Sequence, residues 1–378
     1  MFTTEQSFFI KILYDFINKE KTAEIPKNLS MEIIASYGKK HEIQAILYYQ
    51  TKLPILKEAY YSTLYINTNR ADLIQQLKEQ FEFPYFIIKG VEIAELYPVK
   101  ALRTMGDIDI VVHAEDMEKA NAIFLNQGYH NKSKKLESEW HYSKGKMEFE
   151  LHNQLLYTEN VNDSEQQLFF NDCWNYCNNN QLDWNFHFLF LISHLRKHFM
   201  NKGVGFRQFM DIAIVSKYCE LNWTWIEDKA AEIKLLPFLR IVLTFCNRWF
   251  GTTTSMKLID ITDEFFETST LKIFEDGVFG FCNEENASSE AVNLYRKNGR
   301  IGMLKATLHQ IFPRYREMKV MKEYAFIDGK PFLLPVAWMY RILIKGKNKK
   351  SVKAKLGKTF ASGETIEKRK ELYKQWGL

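Results

Sequence analysis

No stretch of this 378-residue sequence approaches the ~18–20 consecutive apolar residues that a membrane-spanning helix needs. The longest apolar runs, FHFLFLI and PFLLPVAWMY, are about half that length. Cysteine is scarce and odd in number: Cys173, Cys177, Cys219, Cys246 and Cys282. That argues against a disulfide framework as the basis of folding. Cys173 and Cys177 in CWNYC have the spacing of one helix face, but no second Cys or His pair at zinc-finger spacing completes a site. The opening residues, MFTTEQSFFIKILYDF, show no basic segment, no long apolar segment and no small-residue cleavage site. They read as a mature helix, and the cytoplasm is the expected location. There is no internal repeat, and the only low-complexity tract is rich in lysine.

What is present is a globular composition. Hydrophobic residues make up 46% of the chain, with 29 Phe and 19 Tyr, too many for a solvated polymer. The net charge of +5 is unevenly placed. Residues 341–358, RILIKGKNKKSVKAKLGK, hold eight Lys or Arg and no acid; taking those eight charges from +5 leaves −3 on the rest. Such a segment suits phosphate, nucleic acid or an anionic membrane surface, and its plainer reading is a solvated basic loop.

Residues 1–80 read as helices, with Ser30 as an N-cap and a break near Gly38. The pattern changes at FPYFIIKG, where Tyr85–Ile88 form a short buried strand stopped by Gly90. VEIAELYP is a short helix, DIDIVVH a strand, AEDMEKANAIFLNQGY an amphipathic helix, and KMEFELH a strand alternating Met147, Phe149 and Leu151 with Glu148, Glu150 and His152. From about residue 160 the signals are helical, apart from an expected long loop over LKIFEDGVFGFCNEENASSEA. GRIGMLKATLHQIF and PFLLPVAWMYRILI read as the last two substantial helices.

The strand DIDIVV raises a chemical question. Residues i and i+2 share one face of a strand, so Asp107 and Asp109 project together while Ile108 and Ile110 face a core. Two ionised carboxylates in a partly buried place are costly unless a cation sits between them. A divalent cation removes that cost, and a pair of them can clamp the entering and leaving oxygens of phosphoryl transfer. A third carboxylate is expected from KMEFELH, as either Glu150 or Glu148; register alone does not choose. Lys89 and Gly90 end the preceding strand at a helix N-terminus, where a backbone can approach an anion closely. Arg103 lies four residues before Asp107, and Gly106 directly precedes it. Base, fork and carboxylates converge on one end of a small sheet.

The arrangement IIKGVEIAELYP, LRTMGDIDIVV, EFELH resembles the DNA polymerase beta-like nucleotidyltransferase superfamily, closest to its bacterial group of uncharacterised nucleotidyltransferases. ASYGKKHEIQAILYYQ, HLRKHFMNKGVGFRQFMDIAIV and LLPVAWMYR are similar to further parts of that group, so the resemblance covers most of the chain. It implies an α+β fold, a small mixed-sheet nucleotidyltransferase core with extensive helical N- and C-terminal regions. The expected divisions are a helical region at 1–80, the core at 81–158, a helical acceptor-side region at 159–340 and a basic tail at 341–378.

The implied activity is transfer of an NMP from an NTP to an acceptor hydroxyl, with release of pyrophosphate. Asp107, Asp109 and Glu150 would hold two Mg2+ ions, with Mn2+ as the alternative, and Glu150 would help deprotonate the acceptor. Lys89, the Gly90 backbone, Arg103 and Gly106 would steady the nucleotide. The acceptor is left open among small molecules, proteins and RNA. On the acceptor side stand His152, His194, His198, Arg207 and Asp211. His194 and His198 have zinc-pair spacing without an evident third ligand, and Arg207 and Asp211 either pair with each other or line the acceptor pocket. Gly90-Val91 stands where the superfamily has Gly-Ser, and Glu150 where it has Asp. The alternative is therefore a nucleotide-binding protein of the same fold with weakened catalysis, docking an anionic partner through residues 341–358.

Overall fold

The computed structural model describes residues 1–22, 25–26, 28–133, 139–156, 164–201, 203–278, 312–318, 322–346 and 363–378. The chain divides into two compact units, one of Met1–Phe199 with Gly203–Gly280, the other of Met200–Lys202 with Phe281–Leu378.

The first unit opens with helices α1 (Thr4–Ile17), α2 (Met31–Lys40), α3 (Gln44–Thr51) and α4 (Lys57–Lys78). Ser30 caps α2, accepting the Ile33 N–H, as its sequence position leads one to expect. The break between α2 and α3 falls at 41–43 rather than at Gly38, which is buried within α2. A Cβ at Gly38 would lie 2.6 Å from Leu47, so this glycine serves close helix packing, not termination.

The sheet follows: β1 (Tyr85–Ile88), α5 (Gly90–Ala94), β2 (Ile108–Val112), α6 (Met117–Asn126), β3 (His130–Asn131), β4 (Glu139–Lys144) and β5 (Met147–His152). The strand order is β1-β2-β5-β4-β3. Among the described residues only the β2–β5 pair is parallel. Alternation sorts the side chains into two faces. Ile87, Ile110, Leu151, Phe149, Trp140 and Tyr142 join Phe124 of α6 and Leu77 of α4 in one buried core. The Phe124 and Tyr142 rings stack at 4.3 Å. The opposite face carries Asp109, Glu150, His152, Glu139 and His141. β4 and β5 are joined by a two-residue turn whose first residue, Gly145, has φ 61°, the left-handed geometry that matches strand twist.

The rest of this unit is helical: α7 (Ser164–Asn171), a small ribbon of β6 (Cys177–Asn178) and β7 (Gln181–Leu182), then α8 (Trp184–Asn201), α9 (Phe206–Tyr218), α10 (Trp223–Glu232), α11 (Leu236–Phe250) and α12 (Asp263–Asp276). Three local expectations change. Cys173 lies in a 3-10 turn and Cys177 in β6, so they do not share a helix face. Residues 271–276 belong to α12, whose N-cap Thr262 accepts the Phe265 N–H, and not to a loop. β4 adds a strand that the sequence reading does not contain. The helix expected over 299–312 falls almost wholly outside the described residues, as does most of the basic run 341–358.

The second unit contains α13 (Tyr315–Met318), α14 (Leu334–Gly346) and α15 (Gly363–Gln375). Met318, Tyr324, Ile327 and Ala337 form its small core. Among the described residues no helix is long and apolar enough to cross a membrane.

Candidate active site

The parallel pairing of β2 with β5 decides which glutamate meets the aspartates. Asp109 lies opposite Glu150, and Ile88, the last residue of β1, lies opposite Asp109 on the other side. Glu148 stands one strand step away, exposed and paired with Lys132 at 3.2 Å. Asp107 precedes β2 by one residue. Its loop is held by Arg70 of α4, whose Nη1 and Nη2 donate to the carbonyls of Met105 (2.6 Å) and Gly106 (2.7 Å). Sequence reasoning missed Arg70; a basic residue inside a long amphipathic helix carries no local signal of such a role.

The carboxylates are crowded and their charges interact. Burial, then the negative charges of Asp109 and Glu150, push Asp107 up to about 6. Asp109 is fully buried; burial alone would raise its pKa, but the Lys89 ammonium and His152 outweigh that and hold it well below the usual carboxylate range. Lys89 Nζ donates to Asp109 Oδ1 at 2.7 Å, and His152 Nε2 lies 3.1 Å from the same oxygen. Burial opposes charge on His152, yet its hydrogen bonds to Asp109 and Glu150 win and raise it to about 9.

β4 supplies a second layer. His141 bridges two carboxylates, with Nδ1 3.1 Å from Glu150 Oε1 and Nε2 2.9 Å from Glu139 Oε1. Glu139 also reaches His152 Nδ1 at 3.7 Å. Two overlapping groups have donor atoms close enough to share a metal ion: Asp109, Glu150 and His152, and Glu139, His141 and Glu150. Sequence reasoning missed Glu139 and His141, although EWHYSKGKMEFELH alternates cleanly on either side of a Gly-Lys turn.

Lys89 has φ 57° and ψ −118°, a conformation that costs a non-glycine residue on the order of 1–3 kcal/mol. Two anchors hold it there. Its ammonium is tied to Asp109, and its N–H donates to His187 Nε2 of α8 at 3.0 Å. His187 is thereby fixed as the neutral tautomer, and burial, then the Lys89 charge, takes its pKa down to about 3. Phe190 of α8 lies beneath the Lys89 ammonium, 5.9 Å from ring centre to Nζ. Next along α8, His194 is kept neutral by burial and by Lys89, and its Nε2 faces that of His198 at 3.2 Å. One face of α8 thus sets a line of aromatic and imidazole rings against the Lys89 side of the site.

Arg103 and Asp211 sit elsewhere than the sequence suggests. Arg103 donates from Nε and Nη2 to the two Asp211 oxygens at 2.9 and 2.8 Å, and Tyr97 donates its hydroxyl to Asp211 at 2.7 Å. Arg207 does not pair with Asp211; it binds Glu42 and the Thr104 carbonyl, the latter at 3.3 Å. Both arginines clamp α9 to the segment leading into β2. Arg103 Nη1 is buried with no hydrogen-bond partner among the described residues. It lies 3.1 Å from where a Gly90 Cβ would be, so the glycine is what lets the fork approach the Lys89 turn. Gly106, by contrast, has open space around its Cβ position.

A mixed sheet with in-register acids on its two parallel strands, a Lys-Gly turn beside them and a helical wall define a nucleotidyltransferase core. The chain belongs to the family described as uncharacterised nucleotidyltransferase, whose model matches residues 38–251, more than half its length. The match runs from within α2 to the end of α11 and includes every residue of the site described above. Neither the curated proteins nor the solved structures yield a match.

Proposed function

We propose that this chain transfers a nucleoside monophosphate from an NTP to an acceptor hydroxyl, using divalent cations held by Asp107, Asp109 and Glu150. The observation that carries the reading is the pairing of Asp109 with Glu150 across parallel strands, with Asp107 close enough for their charges to raise its pKa.

The donor set fits the cation. Carboxylate oxygens are the hard ligands that Mg2+ and Mn2+ prefer. The Lys89 ammonium and His152 already supply positive charge at Asp109, which marks a place that demands it. When bound, the cations would neutralise the phosphates and polarise the α-phosphorus toward attack. The acceptor oxygen bonds to that phosphorus, the bond to the β-phosphate bridging oxygen breaks, and pyrophosphate leaves. Glu150, at the edge of the cluster and partly exposed, takes the acceptor proton. His141 and His152 hold its two oxygens in place. Lys89 moves from Asp109 to the triphosphate, while Arg103, paired with Asp211, packs behind Gly90. The Phe190–His194 stretch of α8 excludes water from that side.

Calorimetry of Mg2+ and NTP binding tests the site. Asp107→Ala/Asp109→Ala should lose metal-dependent nucleotide affinity, and an unchanged isotherm would reject the assignment. A second reading, nucleotide binding without turnover, is favoured by the Lys89–Asp109 ion pair, which neutralises the central carboxylate without a metal. Pyrophosphate release over a panel of sugar, protein and RNA acceptors separates the two, since turnover with any of them dismisses the binder.

A further inference from the structure

Strand β4 sets a second group of donors beside the carboxylates of the candidate site. Glu139 and His141 stand two apart and so share one face of the strand. Across the antiparallel ladder Glu139 lies opposite His152, and His141 opposite Glu150. These two cross-strand pairs put two carboxylates and two imidazoles at the corners of one patch. The contacts run right round it. His141 Nε2 is 2.9 Å from Glu139 Oε1, and Glu139 Oε2 is 3.7 Å from His152 Nδ1. His152 Nε2 is 3.6 Å from Glu150 Oε2, and Glu150 Oε1 is 3.1 Å from His141 Nδ1. Each glutamate thus lies between two imidazoles, and among the described residues neither has a lysine or arginine as ion-pair partner.

We infer that Glu139, His141 and Glu150 form a binding site for a transition-metal ion of the Zn2+ class, distinct from the Mg2+ proposed for the two aspartates. One donor atom from each of the three lies within 4.8 Å of the others. Zinc bonds of about 2.0–2.1 Å place tetrahedral ligands about 3.3 Å apart, so the 2.9 and 3.1 Å contacts of His141 need open by only a few tenths of an ångström. An imidazole set between carboxylates suits Zn2+, which takes nitrogen and oxygen together, whereas Mg2+ takes oxygen and keeps its waters. Whichever ring nitrogen of His141 binds the ion, the other meets a carboxylate that holds its N–H, as metal-binding histidines require. Three protein ligands leave a fourth position for water, and solvent reaches it. The side chains of Glu139, His141 and Glu150 are 34, 44 and 21% exposed, against 3% for Asp109 and 7% for His152. Paired strands fix these donors, so little freedom is lost when the ion binds. His194 and His198 are a rival pair, but among the described residues no third donor joins them. The inference does not depend on the transfer chemistry proposed above.

Titration of the metal-stripped full chain with Zn2+ against a chromophoric chelator, in the presence of Mg2+, tests it. One Zn2+ per chain is expected. Glu139→Gln/His141→Ala should weaken its binding by more than about tenfold, since even the outer partners of a metal ligand are worth about 10–100-fold. Glu139→Gln alone, close to isosteric, guards against a loss of fold and should weaken zinc in the same direction. Zn2+ should also raise the melting temperature of the wild type and not of the double variant, because it binds the paired strands only when folded. Asp107→Ala lies outside the donor set and should keep zinc while losing Mg2+-dependent NTP affinity, which tells failure of this site from failure of the transfer reading. Wild-type zinc affinity in both Glu139 variants, or no zinc bound at all, would overturn the inference. So would zinc lost with Asp107→Ala, or abolished instead by His194→Ala/His198→Ala.

Discussion

Arg103 closes on Asp211 through two hydrogen bonds of 2.9 and 2.8 Å, tying the approach to β2 to helix α9, 108 positions further on. Both side chains are almost fully buried, and Tyr97 completes the carboxylate's shell. Removing one partner strands the other charge in the interior. Asp211→Ala should therefore cost about 3–5 kcal/mol of unfolding free energy. Replacing both residues with apolar side chains of similar volume should cost less than that single change. Urea midpoints at constant slope measure it; a loss within about 1 kcal/mol would mean that the pair is solvated.

Lys89 stands between two roles, and its removal should strengthen Mg2+ binding while weakening NTP binding. Its ammonium lies 2.7 Å from the Asp109 oxygen that the proposed cation would need. Lys89→Gln removes that competing charge while keeping a polar side chain of similar length. Mg2+ affinity in the absence of nucleotide should rise by about tenfold, since close charges in a partly buried site interact by more than 1 kcal/mol. The KM for NTP should rise as well, because the charge that meets the triphosphate is gone. Weaker Mg2+ binding in the variant would show that Lys89 orders the carboxylates instead of competing for them.

The polar face of the sheet was legible in the sequence only in part. DIDIVV and KMEFELH announce themselves because buried strands carry acids at period two, and that pattern sufficed to single out Asp107, Asp109 and Glu150, of which the structure sets Asp109 opposite Glu150. The choice of Glu150 over Glu148 needed the register, which depends on where two strands distant in sequence start their pairing. β4 escaped because its apolar side is only Trp140 and Tyr142, following a lysine- and serine-rich stretch that reads as loop. The Arg103–Asp211 pair escaped for a different reason. Spacing of four along α9 made Arg207 the obvious partner, but the tertiary path of the 97–104 segment brings Arg103 to Asp211 and sends Arg207 to Glu42.

His141 gives the proposed reaction a residue whose effect should fall on turnover alone. It contacts Glu150 and Glu139. A glutamate has one more rotatable bond than an aspartate, so its carboxylate needs holding. His141→Ala should lower kcat by about 10–100-fold, the usual effect of losing a residue that orients a ligand or base. The KM for NTP should stay near the wild-type value, and His141→Asn should recover part of the loss by restoring a donor to Glu150. A rise in NTP KM with kcat unchanged would place His141 in nucleotide binding instead.

Acid should unfold the first unit through histidines buried without charge. His41 sits among Phe9, Phe206 and Phe274, with its Nδ1 accepting the Phe206 N–H at 3.3 Å. Burial, then the charge of Lys40, lowers it from 6.5 to about 3. His187 is lowered from 6.5 to about 3 by burial and then by Lys89. Both native pKa values lie below the unfolded one, so the unfolded chain binds more protons below pH 6.5. Stability is then intact above 6.5 and falls steadily as pH drops toward 3. Linkage gives about 2 kcal/mol for each histidine by pH 5. Thermal melts at pH 7 and pH 5 should show this loss. His41→Asn, compared with wild type at each pH, should reduce the pH 7 to pH 5 difference by about the share of one histidine, whatever it does to stability at pH 7. A variant whose pH dependence matches wild type would mean that His41 is protonated in the folded protein.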